Sequence, residues 1–188
     1  MRDRKSVLVV GAGKIGAIIA DLLTATGDYE VTVVDREQAE LDALDAALPV
    51  ARIRLDITDD GALDRVLARK FAVLSAAPFH LTTRIAEAAA RAGVHYLDLT
   101  EDVASTRRVK ELAAGAASAF IPQCGLAPGF ISIVAYDLAR RFETLDSVRM
   151  RVGALPQYPS NALNYNLTWS TDGVINEYCE PCEAIVDG

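Results

Sequence analysis

Cysteine and histidine are scarce: three cysteines and two histidines in 188 residues. An odd cysteine count suits a reducing, cytoplasmic setting better than a disulfide scaffold. Cys179 and Cys182 form a CxxC, but structural zinc wants four ligands, and no second CxxC or paired histidine completes the set. A redox CxxC opens a helix, whereas this one closes one, so neither a metal nor a thiol function is expected. Positive charge is also short, with 19 Lys and Arg against 26 Asp and Glu, a net charge of −7. That argues against a nucleic-acid surface and against anionic membranes. Residues 112–136 hold no charge, yet they contain Pro122, Gln123, Pro128 and three glycines. Such a stretch reads as buried strand, loop and helix, not as a lipid-facing span. No GxSxG, HExxH or P-loop occurs, which leaves hydrolase and kinase chemistry without its residues. The basic start, Met1 to Lys5, runs straight into a short strand, not a long apolar signal region.

What is present is a globular chain: 51% apolar and 24% charged, large enough to bury a core without staples. Two hydrophobic periods alternate over the first 120 residues. Strands are expected at 6–10, 30–34, 51–55, 71–75, 94–99 and 119–123. The first is a continuous apolar run, the mark of a parallel strand covered on both faces. Between them lie helical patterns: Ile15, Ile18, Ile19, Leu22 and Leu23 form one stripe, and Leu41, Leu44 and Leu48 another. Asp59 or Asp60 is expected to cap a helix bearing Leu63, Val66 and Leu67. Residues 82–92 form an Ala-rich helix ending at Gly93, and Thr100 caps the next. Six strands separated by helices predict an α/β fold, a doubly wound parallel sheet built from right-handed βαβ units. The division is a dinucleotide-binding domain over 1–124 and the start of a second, α+β domain over 125–188. In the latter a helix is expected at 130–142, strands at 147–155, 165–169 and 184–186, and a short helix at 171–178 started by Thr171 or Asp172. Asp187-Gly188 after a β run signals a hairpin with no second strand, so the chain reads as a piece of a longer polypeptide.

Gly11, Gly13 and Gly16 make a GxGxxG that follows a strand and opens a helix, with an acid, Asp35, ending the next strand. That context is the dinucleotide fingerprint. Gly11 permits the tight turn, Gly13 lets the backbone approach a pyrophosphate, and Gly16 allows close helix–strand packing. Lys14 and Ile15 sit at the helix start, where N–H groups and the macrodipole hold phosphate. Asp35 accepts both adenosine ribose hydroxyls and repels a 2′-phosphate, which favours NAD. Arg36 pulls toward NADP, since it can pair with that phosphate. Asp56 and Ile57 either frame the adenine or simply make the turn after the third strand. Ala76, Ala77 and Pro78 leave the carboxyl end of the fourth strand, where ligands of open α/β sheets bind. His80, Asp98 and Glu101 are the candidate proton carriers near the nicotinamide, against the alternative that such carboxylates only cap helices. His95 reads as structural.

Four pieces give the chain a resemblance to the saccharopine dehydrogenase family, closest to its lysine 6-dehydrogenase-like branch: VLVVGAGKIG at 7–16, AAPFH at 76–80, GLAPG at 125–129, and the block 165–178 centred on Thr168, Trp169 and Ser170. The resemblance implies NAD(P)-dependent oxidation at a carbon bearing an amine, with GLAPG and Thr168, Trp169 and Ser170 lining the cleft between domains. It also implies a homodimer and a small amine or amino-acid substrate. Asp172 stands where the saccharopine-reducing branch carries Arg, which points toward an amine such as lysine rather than saccharopine. A nucleotide-sensing module without catalysis is the alternative, but it would lack GLAPG and the 168–170 block. These 188 residues are expected to bind dinucleotide and turn over little.

Overall fold

The computed structural model describes residues 3–59, 61–153, 156–162, 164–165, 170–179 and 181. Six strands form one sheet: β1 (Lys5–Val10), β2 (Tyr29–Asp35), β3 (Ala51–Arg54), β4 (Ala72–Ser75), β5 (His95–Asp98) and β6 (Phe120–Ile121). Their spatial order is β3-β2-β1-β4-β5-β6 and every pairing is parallel. This is the doubly wound arrangement expected, with its reversal point between β1 and β4. Parallel strands covered on both faces need continuous apolar runs, and Val7 to Val10 and Val31, Val33 and Val34 supply them, all buried.

The helices are α1 (Lys14–Ala25), α2 (Gln38–Asp42), α3 (Ala62–Leu67), α4 (Phe79–Ala92), α5 (Val103–Ala114), α6 (Phe130–Ala139) and α7 (Thr171–Cys179). One face of the sheet packs Leu8, Val10 and Val73 against Leu67, Ile85, Ala89, Tyr96 and Val109. The other packs Val9, Val31 and Val33 against Ala12, Ala20, Leu41 and Leu44. Helix α1 keeps part of its expected stripe, Ile19 and Leu23 packing against this core. Its buried residues are the small Gly16 and Ala20, while Ile15, Ile18 and Leu22 are exposed. Small residues let the helix sit close to β1, and the large apolar side chains then project past the contact.

Helix starts also differ. Gly61, not an aspartate side chain, precedes α3. Asp102, not Thr100, caps α5, its Oδ2 accepting from the Ser105 N–H at 2.7 Å. Helix α4 begins at Phe79, directly after Pro78, three residues before the periodicity suggests. Gly93 closes it as expected, at φ 66°. Helix α6 stops at Ala139, short of Phe142. No strand forms over 147–153, because a strand needs a partner and none lies beside it among the described residues. The expected strand at 184–186 and nearly all of that at 165–169 fall outside the described residues. No described helix is long and apolar enough to cross a membrane.

Candidate functional site

The site begins with steric necessity at the β1–α1 turn. Gly11 sits at φ 104°, a conformation side chains rarely adopt, and a Cβ there would lie 2.7 Å from the Ala76 carbonyl oxygen. A Cβ on Gly16 would run into the Gly11 carbonyl. Gly13 is different: a Cβ on it meets nothing within 4 Å. Its open side faces a trough along the carboxyl ends of the strands. Gly13, Ala76, Ala77 and Pro78 form a ridge shared by two compartments of that trough.

The larger compartment, about 520 Å³, lies beyond β2 and β3. Asp35, Arg36, Glu37, Glu40, Asp56, Ile57 and His80 line it. Asp35 is tied down: its Oδ2 accepts from the Ala12 N–H at 2.7 Å and its Oδ1 from the Glu37 N–H at 2.9 Å. Arg36 pairs with Glu37, Nε to Oε1 at 3.0 Å. Asp56 makes its own turn, Oδ1 accepting from the Thr58 hydroxyl and N–H, and these bonds hold its carboxyl below the usual aspartate range. Asp56 therefore makes the turn and also lines the compartment. His80 lies in the first turn of α4, edge-on to Phe79 at 5.7 Å between ring centroids. It lines this compartment, whereas Phe79 lines the other. His80 thus lines the compartment on the Asp35 side and not the one that Glu101 lines, because helix α4 already turns at that residue.

The second compartment, about 330 Å³, lies beyond β4 and β5. Lys14, Ile15, Ser75, Thr82, Thr100 and Glu101 line it, with Ser170 and Gly173 from the start of α7. Ser75 is missed by sequence reasoning, although its place as the last residue of β4 is a signal. It is 2% exposed, and its Oγ has no partner among the described residues. Glu101 is half-buried, and burial, reinforced by the nearby charges of Glu177, Asp102 and Asp98, pushes its carboxyl above the usual glutamate range. Helix α7 starts at Thr171, as expected, and Ser170 caps it, its Oγ accepting from the Gly173 N–H at 3.1 Å. Asp172 is exposed and is not part of the lining. Thr168 and Trp169 lie outside the described residues.

Asp98 does not reach the trough. It is fully buried, and its carboxylate binds three donors: the Tyr96 hydroxyl at 2.9 Å on Oδ2, and the Gln123 and Thr100 N–H groups at 3.0 and 3.1 Å on Oδ1. Its backbone carbonyl also accepts from the Cys124 N–H at 2.7 Å. Burial raises the Asp98 carboxyl despite these bonds, and burial beside Asp98 pushes the Tyr96 phenol up. Asp98 therefore clasps the end of β5 to the crossover leading into GLAPG. Asp102 is bridged too. Burial would raise it, but bonds from Ser105 and from the Asn176 amide of α7 (3.3 Å) outweigh that and hold it low. His95 is structural as expected, its Nδ1 accepting from the Ala119 N–H at 2.9 Å. The described residues hold no group of three or more potential metal ligands.

Comparison with known proteins agrees with this fold. The saccharopine dehydrogenase NADP binding domain matches residues 7–121, and the saccharopine dehydrogenase C-terminal domain matches residues 125–188. Saccharopine dehydrogenase [NADP(+), L-glutamate-forming] of Saccharomyces cerevisiae is 29% identical over 91% of this chain and 40% of its own length. Alpha-aminoadipic semialdehyde synthase, mitochondrial, of Bos taurus is 22% identical over all of this chain and 21% of its own length. The solved apo structure of the S. cerevisiae saccharopine dehydrogenase superposes with a TM-score of 0.70 at 28% identity, over 91% of this chain and 40% of that one. An apo scyllo-inositol dehydrogenase from Lactobacillus casei, at 20% identity and a TM-score of 0.57, shares the fold. The chain spans about two fifths or less of the length of these curated relatives. Its glycine turn, its strand order and the family's second domain following on from GLAPG place the chain in the saccharopine dehydrogenase family.

Proposed function

We propose that this chain supplies the coenzyme half of an oxidoreductase acting on a CH–NH bond of a small amine or amino acid. The observation that carries the reading is the divided trough: the glycine turn in the middle, a fixed carboxylate, Asp35, on one side, and a half-buried one, Glu101, on the other. The residues suit a nicotinamide dinucleotide. Gly13 leaves the turn open where a diphosphate needs close backbone approach, and the first N–H groups of a helix such as α1 have no partner within it. Asp35 offers ribose hydroxyls two anchored oxygens. Asp56, Ile57 and His80 flank the space for an adenine. Ser75 Oγ, buried without a partner, is a polar group that a ligand in the second compartment would satisfy.

When bound, the coenzyme exchanges a hydride with the carbon that bears the amine. The chain's own residues position and handle the proton. Glu101, as an ionised carboxylate, takes a proton from the substrate nitrogen, and its raised pKa brings it nearer the operating pH, where a general base works best. Asp102, Glu177 and Asp98 give that end a negative field, which favours a cationic amine. Asp98 acts as a positioning residue, holding the loop that carries Thr100 and Glu101. Asp172, exposed at the start of α7, gives no reason to choose lysine over saccharopine. The anchored Asp35, with Glu37, Glu40 and Asp56 beside it, weighs toward NAD, whereas Arg36 in the same lining and the NADP binding domain that matches residues 7–121 weigh toward NADP. Calorimetric titration tests the reading. Wild type should bind NAD at one saturable site, and Asp35→Ala should weaken it about tenfold or more, the worth of a charge-assisted hydrogen bond. Unchanged affinity in Asp35→Ala would remove the ribose assignment, and no saturable binding by wild type would remove the function.

A further inference from the structure

We infer that Asn176 is a positioning residue for the smaller compartment: by donating to the buried Asp102 carboxylate it holds α7 where Ser170 and Gly173 wall the space that Glu101 lines. The inference rests on the reading of that compartment given above and deepens it by naming what fixes its outer wall. Ser170, Gly173 and Asn176 follow one another three residues apart, so they share one face of α7. Ser170 and Gly173 line the compartment. The other side of the helix carries its large side chains, with Ile175 57% and Tyr178 87% exposed. Burial of apolar surface therefore does not seat α7. A polar contact reaches across instead: Asn176 Nδ2 donates to Asp102 Oδ1 at 3.3 Å.

Asp102 is a fixed anchor for that contact. It is buried, its Oδ2 accepts from the Ser105 N–H at 2.7 Å, and its own N–H donates to the Thr100 hydroxyl at 3.1 Å. Its carbonyl accepts from the Thr106 N–H at 2.9 Å. All three partners belong to α5 or to the loop before it, so Asp102 keeps its place whether or not α7 is docked. The ionised carboxylate can only accept, which turns the nitrogen of the Asn176 amide toward Oδ1. The same contact brings the next residue, Glu177, close enough for its charge to act on Glu101 together with Asp102 and Asp98. One hydrogen bond thus sets both the wall of the compartment and part of its field.

The test exchanges the two side chains. Asn176→Asp sets a second carboxylate against Asp102. The swap Asp102→Asn/Asn176→Asp restores a donor and an acceptor with their order reversed, and asparagine caps a helix as well as aspartate does. Both proteins carry the same aspartate near the end of α7, so the contact alone distinguishes them. Amide hydrogen exchange over residues 174–179 should run about tenfold faster in Asn176→Asp than in wild type, the worth of a hydrogen bond to a charged group. It should return to the wild-type rate in the swap. Ile175→Ala, on the outward side, should not speed it. The fluorescence of bound NADH or NADPH reports the wall itself: quenching of the nicotinamide by acrylamide should rise in Asn176→Asp and fall back in the swap. Four results overturn the inference while leaving the coenzyme site standing: unchanged exchange in Asn176→Asp, exchange that stays fast in the swap, equal speeding by Ile175→Ala, or quenching that does not follow exchange. Wild type that binds neither coenzyme overturns the proposed function, and exchange then decides the inference alone.

Discussion

In the sheet unit Leu8, Val9, Val33, Leu67, Val73 and Ile85 are wholly inaccessible. In α6, by contrast, no residue is buried, and Phe130, Ile133 and Tyr136 are each at least 60% exposed. Both regions are rich in apolar residues, so composition does not separate them. What separates them is packing: the strands of the sheet lie between neighbours and covering helices, whereas α6 and residues 145–151 line a shared groove and no residue of α6 is buried. The two compartments of the trough inherit this difference. The Asp35 side is walled by the end of β2, the turn after β3 and the first turn of α4. The opposite side borrows Ser170 and Gly173 from α7, whose only buried residue is Gly173. Stability thus resides in the first region, and the second contributes to the wall of the smaller compartment.

The contrast breaks if core and α6 substitutions weigh alike. Leu8→Ala should cost about 4 kcal/mol in urea unfolding, the transfer loss plus a cavity, while Phe130→Ala should stay within about 0.5 kcal/mol. Asp98→Ala should cost about 3 kcal/mol, since it leaves two N–H groups and the Tyr96 hydroxyl buried without their acceptor. A surface-like value for Asp98→Ala would contradict the clasp. Ser75→Ala sharpens the comparison by separating ligand from fold. Its unfolding free energy without ligand should not fall, because the hydroxyl has no partner, yet NAD affinity should drop about fivefold, near 1 kcal/mol. Equal affinity in the two proteins would take Ser75 out of the site.

The smallest effect concerns pH. Glu101 has a raised carboxyl pKa in the folded chain, so the native state holds its proton more tightly than the unfolded state. Its contribution to stability is complete below the ordinary value of 4.5 and is lost as pH rises through the folded value. Glu101→Gln should therefore match wild type near pH 4 and unfold at slightly higher urea near pH 7. A difference of the opposite sign would show that Glu101 is stabilised as an anion.

Much of this organisation is legible in the sequence because it depends on local pattern. The strand boundaries lie within two residues of those expected, and Gly11 and Gly16 sit where a side chain would collide with backbone. Less legible are features set through space. The three donors to Asp98 come from residues 96, 100 and 123, and no periodicity links them. The bond from Asn176 to Asp102 spans 74 residues. His80 falls on the side opposite to expectation because residues 78–81 look like loop in the sequence. A loop assigns a side chain no direction, whereas a helix beginning at Phe79 does. The alternation of Val148, Met150 and Val152 promises a strand, but alternation marks a surface that fits a sheet and does not supply the neighbouring strand.

The most direct measurement is a crystal structure of the chain soaked with NAD. The diphosphate should lie against the backbone amides of residues 11–16, with the adenosine ribose on Asp35 and the nicotinamide in the compartment lined by Ser75 and Glu101. A coenzyme bound elsewhere, or a trough closed by its own side chains in the soaked crystal, would contradict the account.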